Sequence, residues 1–267
     1  MNCCVGSTSL FSSAFFLIPR HFTLMKLTLT LIFPRYWMGV AWGAILLLLA
    51  TALLEIFQID SQLADYLYRS QGGGWIFRRE WITAVLVHKG GKYLSLALLA
   101  CLSLLWAFSY RLDVLKNLRI HCRYLVVTAL SSCTLVSLLK ATTHISCPWD
   151  FARYGGDLEY ISLAQQLWLG TGDGCFPAGH ASAGYAWMGL YFVGLFYRSV
   201  WRWLGFGIPL LSGVVFGVSQ QLRGAHFLSH DLWSLGVCWI IAFILYQQLL
   251  QPYIPTSQQG VARRERG

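Results

Sequence analysis

The segment YWMGVAWGAILLLLATALLEI, residues 36–56, decides the fold class, because it is an apolar run long enough to cross a bilayer as a helix. Hydrophobic residues make up 56% of the chain and charged residues 12%, whereas a soluble domain is about one-quarter charged. Five further segments have the same character: 93–108, 124–139, 181–197, 203–218 and 232–250. The sequence therefore predicts an all-α integral membrane protein, a bundle of six spanning helices in one domain at 36–250.

The basic residues predict the orientation of these helices. With the N-terminus in the cytoplasm, every short loop on that side carries lysine or arginine, as the positive-inside rule requires. The net charge of +9 is explained by these loops, so we expect no nucleic-acid partner. A minority of basic residues falls on the outer side, and three of them need another explanation: Lys140, Arg153 and Arg223.

The two ends of the chain lie outside the predicted bundle. Residues 1–35 are interpreted as a cytoplasmic extension or a start codon assigned too early, with Met25 as the alternative start and a cleaved signal peptide as the less favoured reading. Residues 251–267 are interpreted as a cytoplasmic basic tail. Between the first two spans, IDSQLADYLYR and WIFRREWITAVLV are amphipathic and predict periplasmic interfacial helices, with a solvent-exposed loop as the alternative.

Three polar clusters fall on the outer side of the membrane, although they are far apart in sequence. Lys140 ends the third span, and His180 begins the fourth. The connection between the fifth and sixth spans contributes the rest: Arg223, His226, His230 and Asp231. A charged side chain in a spanning helix costs about 2.5–3.5 kcal/mol, a cost that is tolerated most readily at a functional site. We therefore expect the three clusters to meet.

The residue types of these clusters suit a phosphate group. Lys140 and Arg223 are cations, and Arg153 in the outer loop is a third candidate. The backbone N–H groups of Ala178 and Gly179, at a turn that opens a helix, add an anion cradle. Two imidazoles from different helices suit a nucleophile and a general acid, so phosphoryl transfer here would need no metal or other cofactor.

Three short motifs resemble those of the type 2 phosphatidic acid phosphatase (PAP2) superfamily. Lys140 is followed after six residues by Cys147-Pro148, where the family has Arg-Pro. Pro177-Ala178-Gly179-His180 stands for Pro-Ser-Gly-His. Ser219-Gln220, five residues, His226, three residues and His230 stand for Ser-Arg, five residues, His, three residues and Asp. The resemblance covers residues 36–250 and implies the six-helix membrane bundle of that family.

The resemblance also implies roles for the residues that match. It makes His226 the nucleophile, His180 the acid for the leaving group and Lys140 a phosphate ligand. Three family residues are replaced, by Cys147, Gln220 and His230. We infer that Arg223, Arg153, His230 and Asp231 take over the roles of the replaced family residues. A second alignment of the third motif makes His230 the nucleophile, with Asp231 beside it.

Cys147 and Cys175 bracket an acidic loop on the exported side, which is oxidising in a bacterial envelope. We expect a disulfide between them, with two free thiols as the alternative. The acidic residues of the loop match no metal-binding spacing, so we expect them to be solvated.

The expected function is a metal-independent membrane lipid phosphatase. Its substrate would be a phospholipid or polyprenyl phosphate, such as undecaprenyl diphosphate, phosphatidic acid, phosphatidylglycerol phosphate or a lipid A phosphate. It would lie in the bacterial inner membrane with its active site facing the periplasm. Two alternatives stay open: a lipid phosphotransferase, and a non-catalytic transporter or binding protein for anionic lipids.

Overall fold

The structure, a computed structural model, describes residues 20–170 and 172–254, with side chains from Met38 onward. Nine α-helices make up most of this part: α1 Arg20–Ile56, α2 Ile59–Ser70, α3 Gly91–Phe108, α4 Arg119–Thr143, α5 Leu163–Leu169, α6 Gly179–Tyr185, α7 Gly189–Phe196, α8 Arg202–Leu222 and α9 Leu228–Leu249. No β-strand forms within the described residues; there is one isolated bridge, between Phe151 and Leu158. The all-α prediction is therefore confirmed.

The chain divides after Gly39 into two units. The first ends within α1, and its residues 1–19 lie outside the described part, as do residues 255–267 at the other end. The interpretation of the extension and of the tail thus concerns mainly residues that the structure does not describe. The second unit starts at Val40.

Five segments are long and apolar enough to cross a membrane: Met38–Ile56, Ile82–Phe108, Asp113–Asp150, Arg202–Leu222 and Leu228–Tyr253. They contain five of the six predicted spans. Many large apolar side chains on them are exposed, as expected for surfaces that face lipid.

The predicted fourth span is not one continuous helix. Residues 181–197 fall in three successive pieces, α6, a 3₁₀ turn at Ala186–Met188, and α7, and none of them alone is long enough to cross. The first piece, α6, packs closely against α8. A Cβ atom added at Gly184 would lie 2.4 Å from the backbone nitrogen of Gly213 in α8, so glycine is required at residue 184 for this close crossing of α6 and α8.

The second span begins earlier than the sequence predicted. A π-helix at Ile82–Gly90 runs directly into α3, so the second half of this amphipathic piece joins the spanning helix, while Ile76–Arg78 in its first half form a separate 3₁₀ turn. The first amphipathic piece does form a separate helix, α2.

The core is formed by α4, α6, α7 and α9. Tyr124 of α4 is fully buried and donates a hydrogen bond of 2.8 Å to the carbonyl of Ala242 in α9. Tyr185, Met188 and Phe192 fill the space beside it. This packing fixes α4, α6 and α9 against one another and so fixes the positions of the helix ends that carry the polar clusters.

Helix α2 is tied to that same end of the bundle. The carboxylate of Asp60 accepts a hydrogen bond of 2.9 Å from the backbone N–H of Ser229, in the first turn of α9. The Gln71 amide donates one of 3.0 Å to the carbonyl of Leu222 at the end of α8. Helix α2 therefore satisfies backbone groups at both helix ends that flank residues 223–227.

Candidate active site

Three helix ends meet at one end of the bundle. The Ala178 N–H, just before α6, donates a hydrogen bond of 3.1 Å to the carbonyl of His230 in α9. The hydroxyl of Ser234 donates one of 2.9 Å to the carbonyl of Ala178. The hydroxyl of Thr143, the last residue of α4, donates one of 2.6 Å to the carbonyl of Phe176. These hydrogen bonds bring together three segments of the chain: 140–143, 176–180 and 226–234.

These bonds also change the predicted anion cradle. Because the Ala178 N–H already donates to His230, it is committed within the protein and is not free for a phosphate oxygen. The structure therefore makes Ala178 a link between α6 and α9.

His226 and His230 form a buried pair. Their Nδ1 atoms lie 3.3 Å apart, a hydrogen-bond distance, and both side chains are buried. His226 lies in the turn before α9, and His230 lies one helical turn further on. Within the described residues, the Nε2 atom of His230 is buried and has no hydrogen-bond partner. The Nδ1–Nδ1 bond is thus the contact that orients the two rings relative to each other.

Burial holds the pKa of His226 well below its ordinary value of 6.5, and repulsion from His230, Lys140 and His180 acts in the same direction. The His226 imidazole is therefore neutral at neutral pH. A neutral imidazole keeps a lone pair on one ring nitrogen, which a nucleophile requires.

Asp231 points away from this pair. Its carboxylate accepts a hydrogen bond of 2.5 Å from the Gln221 amide of α8 and lies against Gly217, where an added side chain would collide with it. The family aspartate position is filled by His230, and Asp231 joins α9 to α8.

His180 faces the cationic part of the cluster. Burial, together with like-charge repulsion from His88, Lys140, Arg223 and Lys92, lowers the pKa of His180 to about 3. His180 is thus neutral while the site is empty. Its surroundings would favour the charged ring once an anion neutralised these cations.

Arg223 follows the last turn of α8. Its Nη1 donates a hydrogen bond of 3.2 Å to the Gln220 side chain, and its Nε donates one of 3.3 Å to the carbonyl of Arg78. Gln220 occupies the family arginine position, so the bond between these two side chains places the Arg223 guanidinium next to that position. Lys140, in the last turn of α4, is partly buried.

The structure engages Arg153 elsewhere. Its guanidinium forms a two-pronged ion pair with the carboxylate of Asp65 in α2, at 2.7 and 2.5 Å. This pair joins the outer loop to α2 and holds the pKa of Asp65 below its usual value.

Cys147 and Cys175 form a disulfide, with their Cα atoms 5.3 Å apart. It connects the first motif to the second, and the backbone of Cys175 lies beside the imidazoles of both His226 and His230. Asp150 is the third member of the one potential metal-binding group found within residues 20–170 and 172–254. The other two members are these cysteines, whose sulfur atoms are joined to each other.

Two residues of this region were missed by the sequence reasoning. His88, in the π-helix, stacks against His180 with ring centroids 3.8 Å apart. Asp60 caps α9 from α2. His88 precedes Lys89-Gly90-Gly91-Lys92, a basic, glycine-containing break before an apolar run, and Asp60 is the acidic residue at the start of an amphipathic helix. These sequence features mark His88 and Asp60 as unusual, but neither feature indicates which residue the side chain contacts.

The arrangement is that of a multi-pass helical membrane protein with paired histidines and lysine and arginine side chains at one end of its bundle. The family model of the PAP2 superfamily matches residues 120–253, half of the chain, and the chain belongs to that superfamily. No curated protein and no solved structure matches it. Membership supports phosphatase or phosphotransferase chemistry on phosphate esters.

Proposed function

We propose that the protein is an integral membrane phosphatase that hydrolyses a lipid phosphate monoester or diphosphate through a phosphohistidine at His226. The observation that carries the proposal is the 3.3 Å hydrogen bond between the Nδ1 atoms of His226 and His230. His226 occupies the position of the family's nucleophile, and its hydrogen bond to His230 holds the His226 ring in one orientation.

The direction of this hydrogen bond would decide which nitrogen of His226 attacks. Only one of the two facing Nδ1 atoms carries a hydrogen, because a hydrogen bond needs one donor and one acceptor. If His226 donates, its Nε2 keeps the lone pair and attacks phosphorus. The Nδ1 atom of the neutral His230 then accepts the hydrogen bond from the His226 Nδ1–H group throughout, as the carboxylate does in a histidine–aspartate pair.

The remaining groups supply the acid and the charge. As the bond between His226 Nε2 and phosphorus forms, the bond from phosphorus to the lipid oxygen breaks, and His180 gives that oxygen a proton. Water then attacks phosphorus, the phosphorus–nitrogen bond breaks, and His180 takes the proton that the water loses. Lys140 and Arg223 offset the charge of the phosphoryl oxygens during both steps.

A lipid substrate in the exported leaflet fits the surroundings of the site. The site lies at the ends of the spanning helices, beside α2, an amphipathic helix. The disulfide beside it favours an oxidising compartment, and the basic loops favour the cytoplasm at the other end. We therefore propose a bacterial inner membrane location with the site facing the periplasm.

Phosphate release from a panel of lipids tests the proposal. Phosphatidic acid, phosphatidylglycerol phosphate, undecaprenyl diphosphate and a lipid A phosphate are offered to the purified protein in detergent with EDTA. We expect release from at least one of them, and loss of release in the His226→Ala and His180→Ala variants. His121→Gln is the matched control, because His121 lies in the first turn of α4, at the end opposite Lys140.

The same assay separates the two alternatives. A phosphotransferase would move phosphate to an added lipid acceptor faster than to water. A non-catalytic binder would release nothing, and its His226→Ala variant would still bind the lipid. Activity that disappears in EDTA and returns with a divalent ion would contradict the metal-independent mechanism.

A further inference from the structure

His88 lies outside all three sequence motifs, yet it makes the closest ring contact of the candidate acid. The imidazoles of His88 and His180 have centroids 3.8 Å apart and planes inclined by 26°, so they are stacked face to face. His88 comes from the π-helix Ile82–Gly90, and His180 comes from the first turn of α6. The contact therefore joins two elements that are remote in sequence.

The backbone around His88 is built for a close approach. A side chain at Gly91 would lie 2.5 Å from the Phe216 ring of α8, so glycine lets the π-helix and α3 pack directly on α8. Thr83, one π-helical turn before His88, is buried, and its carbonyl accepts a hydrogen bond of 3.4 Å from Ser219 of α8. Wide helical turns of this type occur frequently at functional sites.

The stack is the contact that holds the His180 ring. Within residues 20–170 and 172–254, neither ring nitrogen of His180 forms a hydrogen bond. Both nitrogens are therefore available to a substrate, and the ring plane is set by His88. His226 and His230 differ, because a nitrogen–nitrogen bond sets their rings.

The charges around His180 come from every element packed against it. They are His88 and Lys92 from the second span, Lys140 from α4, Arg223 after α8 and His226 before α9. All are basic. Two imidazolium rings in face-to-face contact would repel each other strongly, so the stack favours at most one charged ring.

We propose that His88 is the positioning residue for His180: its stacked ring fixes the plane of the acid and, together with the surrounding cations, keeps it neutral until a phosphate group enters. The negative charge of the phosphate then offsets Lys140, Arg223 and Lys92. A phosphate monoester loses its second proton near pH 6, so the substrate itself can bring the proton that His180 returns to the leaving oxygen. This inference rests on the proposed function.

Two variants of His88 separate its effects. His88→Phe keeps a flat ring for the stack but removes the nitrogens, and His88→Ala removes the stack. We expect His88→Ala to lower kcat by about 10- to 100-fold with little change in KM, because a misplaced acid affects the chemical step. His88→Phe should keep kcat within a few-fold and move the alkaline limb of the pH–rate profile upward, because a basic neighbour of His180 is lost.

Nuclear magnetic resonance of ¹⁵N-histidine-labelled protein gives a readout that needs no turnover. The His180 signal is identified by its loss in His180→Gln. At pH 6 we expect a neutral ring in the empty wild type and a growing imidazolium signal as inorganic phosphate is added. In His88→Phe the imidazolium signal should appear at a lower phosphate concentration. Melting temperatures in detergent show whether each variant is folded.

The outcomes distinguish the inference from the proposed function. If the wild type releases phosphate from no lipid in the panel, the proposed function fails, and the resonance experiment still decides the role of His88. If the wild type is active and folded His88→Ala matches it in kcat and pH profile, the inference is wrong and the proposed function stands. A His180 signal that is identical in wild type and His88→Phe at every phosphate concentration also overturns it.

Discussion

The two histidine pairs of this protein are held in opposite ways. His226 and His230 are buried and joined through their Nδ1 atoms, 3.3 Å apart. His88 and His180 are only partly buried and are stacked, with ring nitrogens that remain open. A nitrogen–nitrogen hydrogen bond orients the rings of the first pair, whereas face-to-face stacking orients the rings of the second.

This difference follows the needs of the two proposed roles. A nucleophile needs a lone pair that always points at the substrate, and a hydrogen bond to the other nitrogen ensures it. An acid that also works as a base must gain and lose a proton in each cycle, which a ring surrounded by cations and open to an anion can do.

Replacing the nucleophile should have the largest effect. His226→Ala removes the atom that forms the covalent intermediate, so we expect kcat to fall by at least about 10⁴-fold for every substrate. Rapid-quench labelling with ³²P-substrate should show an acid-labile phosphoenzyme in the wild type and none in this variant. Labelling that persists in His226→Ala but disappears in His230→Ala would favour the second alignment of the third motif.

Replacing the acid should have an effect that depends on the leaving group. His180→Ala should lower kcat by about 10²- to 10⁴-fold with an alkyl lipid phosphate, because an alkoxide leaves poorly without a proton. With p-nitrophenyl phosphate, whose leaving group needs no proton, we expect most of that loss to disappear. Equal losses with both substrates would show that His180 does not act as the acid.

The disulfide closes the outer loop between residues 147 and 175. Cys147 and Cys175 are 28 residues apart in sequence, and closing a loop of this length contributes about 3–4 kcal/mol to the free energy of unfolding. The double variant Cys147→Ser/Cys175→Ser should lose about this much in a denaturation experiment. Cys101→Ser is the matched control, since Cys101 is free and exposed. Equal stability of the double variant and the wild type would contradict a structural role for the disulfide.

The pH dependence of kcat/KM tests the first pair. Because the pKa of His226 is held well below 6.5, the wild type should stay active as the pH falls through 6.5, and its acid limb should lie lower. His230→Asp places a carboxylate beside His226, which favours the charged ring, so the acid limb should move up by about one to three pH units. Asp231→Asn is the control and should leave the limb in place, because Asp231 bonds to Gln221. A limb that moves with Asp231 instead would reverse the assignment.

The sequence was sufficient to predict the all-α membrane fold, because long apolar runs have few other stable solutions than spanning helices. It did not predict the break in the fourth segment. That break accompanies the contact between Gly184 and Gly213, which is a property of the packed helices and has no local signal.

The sequence predicted those site residues that belong to the three motifs. Their order and their positions at span ends led to His180, His226 and Lys140, which do lie at one end of the bundle. His88 could not be found in this way, because a stacking contact depends on how a π-helix packs against α6. Spacing also gave no means of choosing between a phosphate and a carboxylate as the partner of Arg153.

We expect the smallest effect from replacing Arg153, whose partner the sequence did not identify. Arg153 is paired with Asp65 on α2, the Arg153 side chain is exposed, and an exposed ion pair contributes about 0.2–1 kcal/mol to stability. We expect Arg153→Met to lower stability by that amount and to leave KM for the lipid substrate unchanged, whereas Arg223→Met should raise KM. Asp65→Asn removes the same pair from the other side and should match Arg153→Met. A rise in KM with Arg153→Met that Asp65→Asn does not reproduce would mean that Arg153 binds phosphate, and the cations that act on His180 would then include the outer loop.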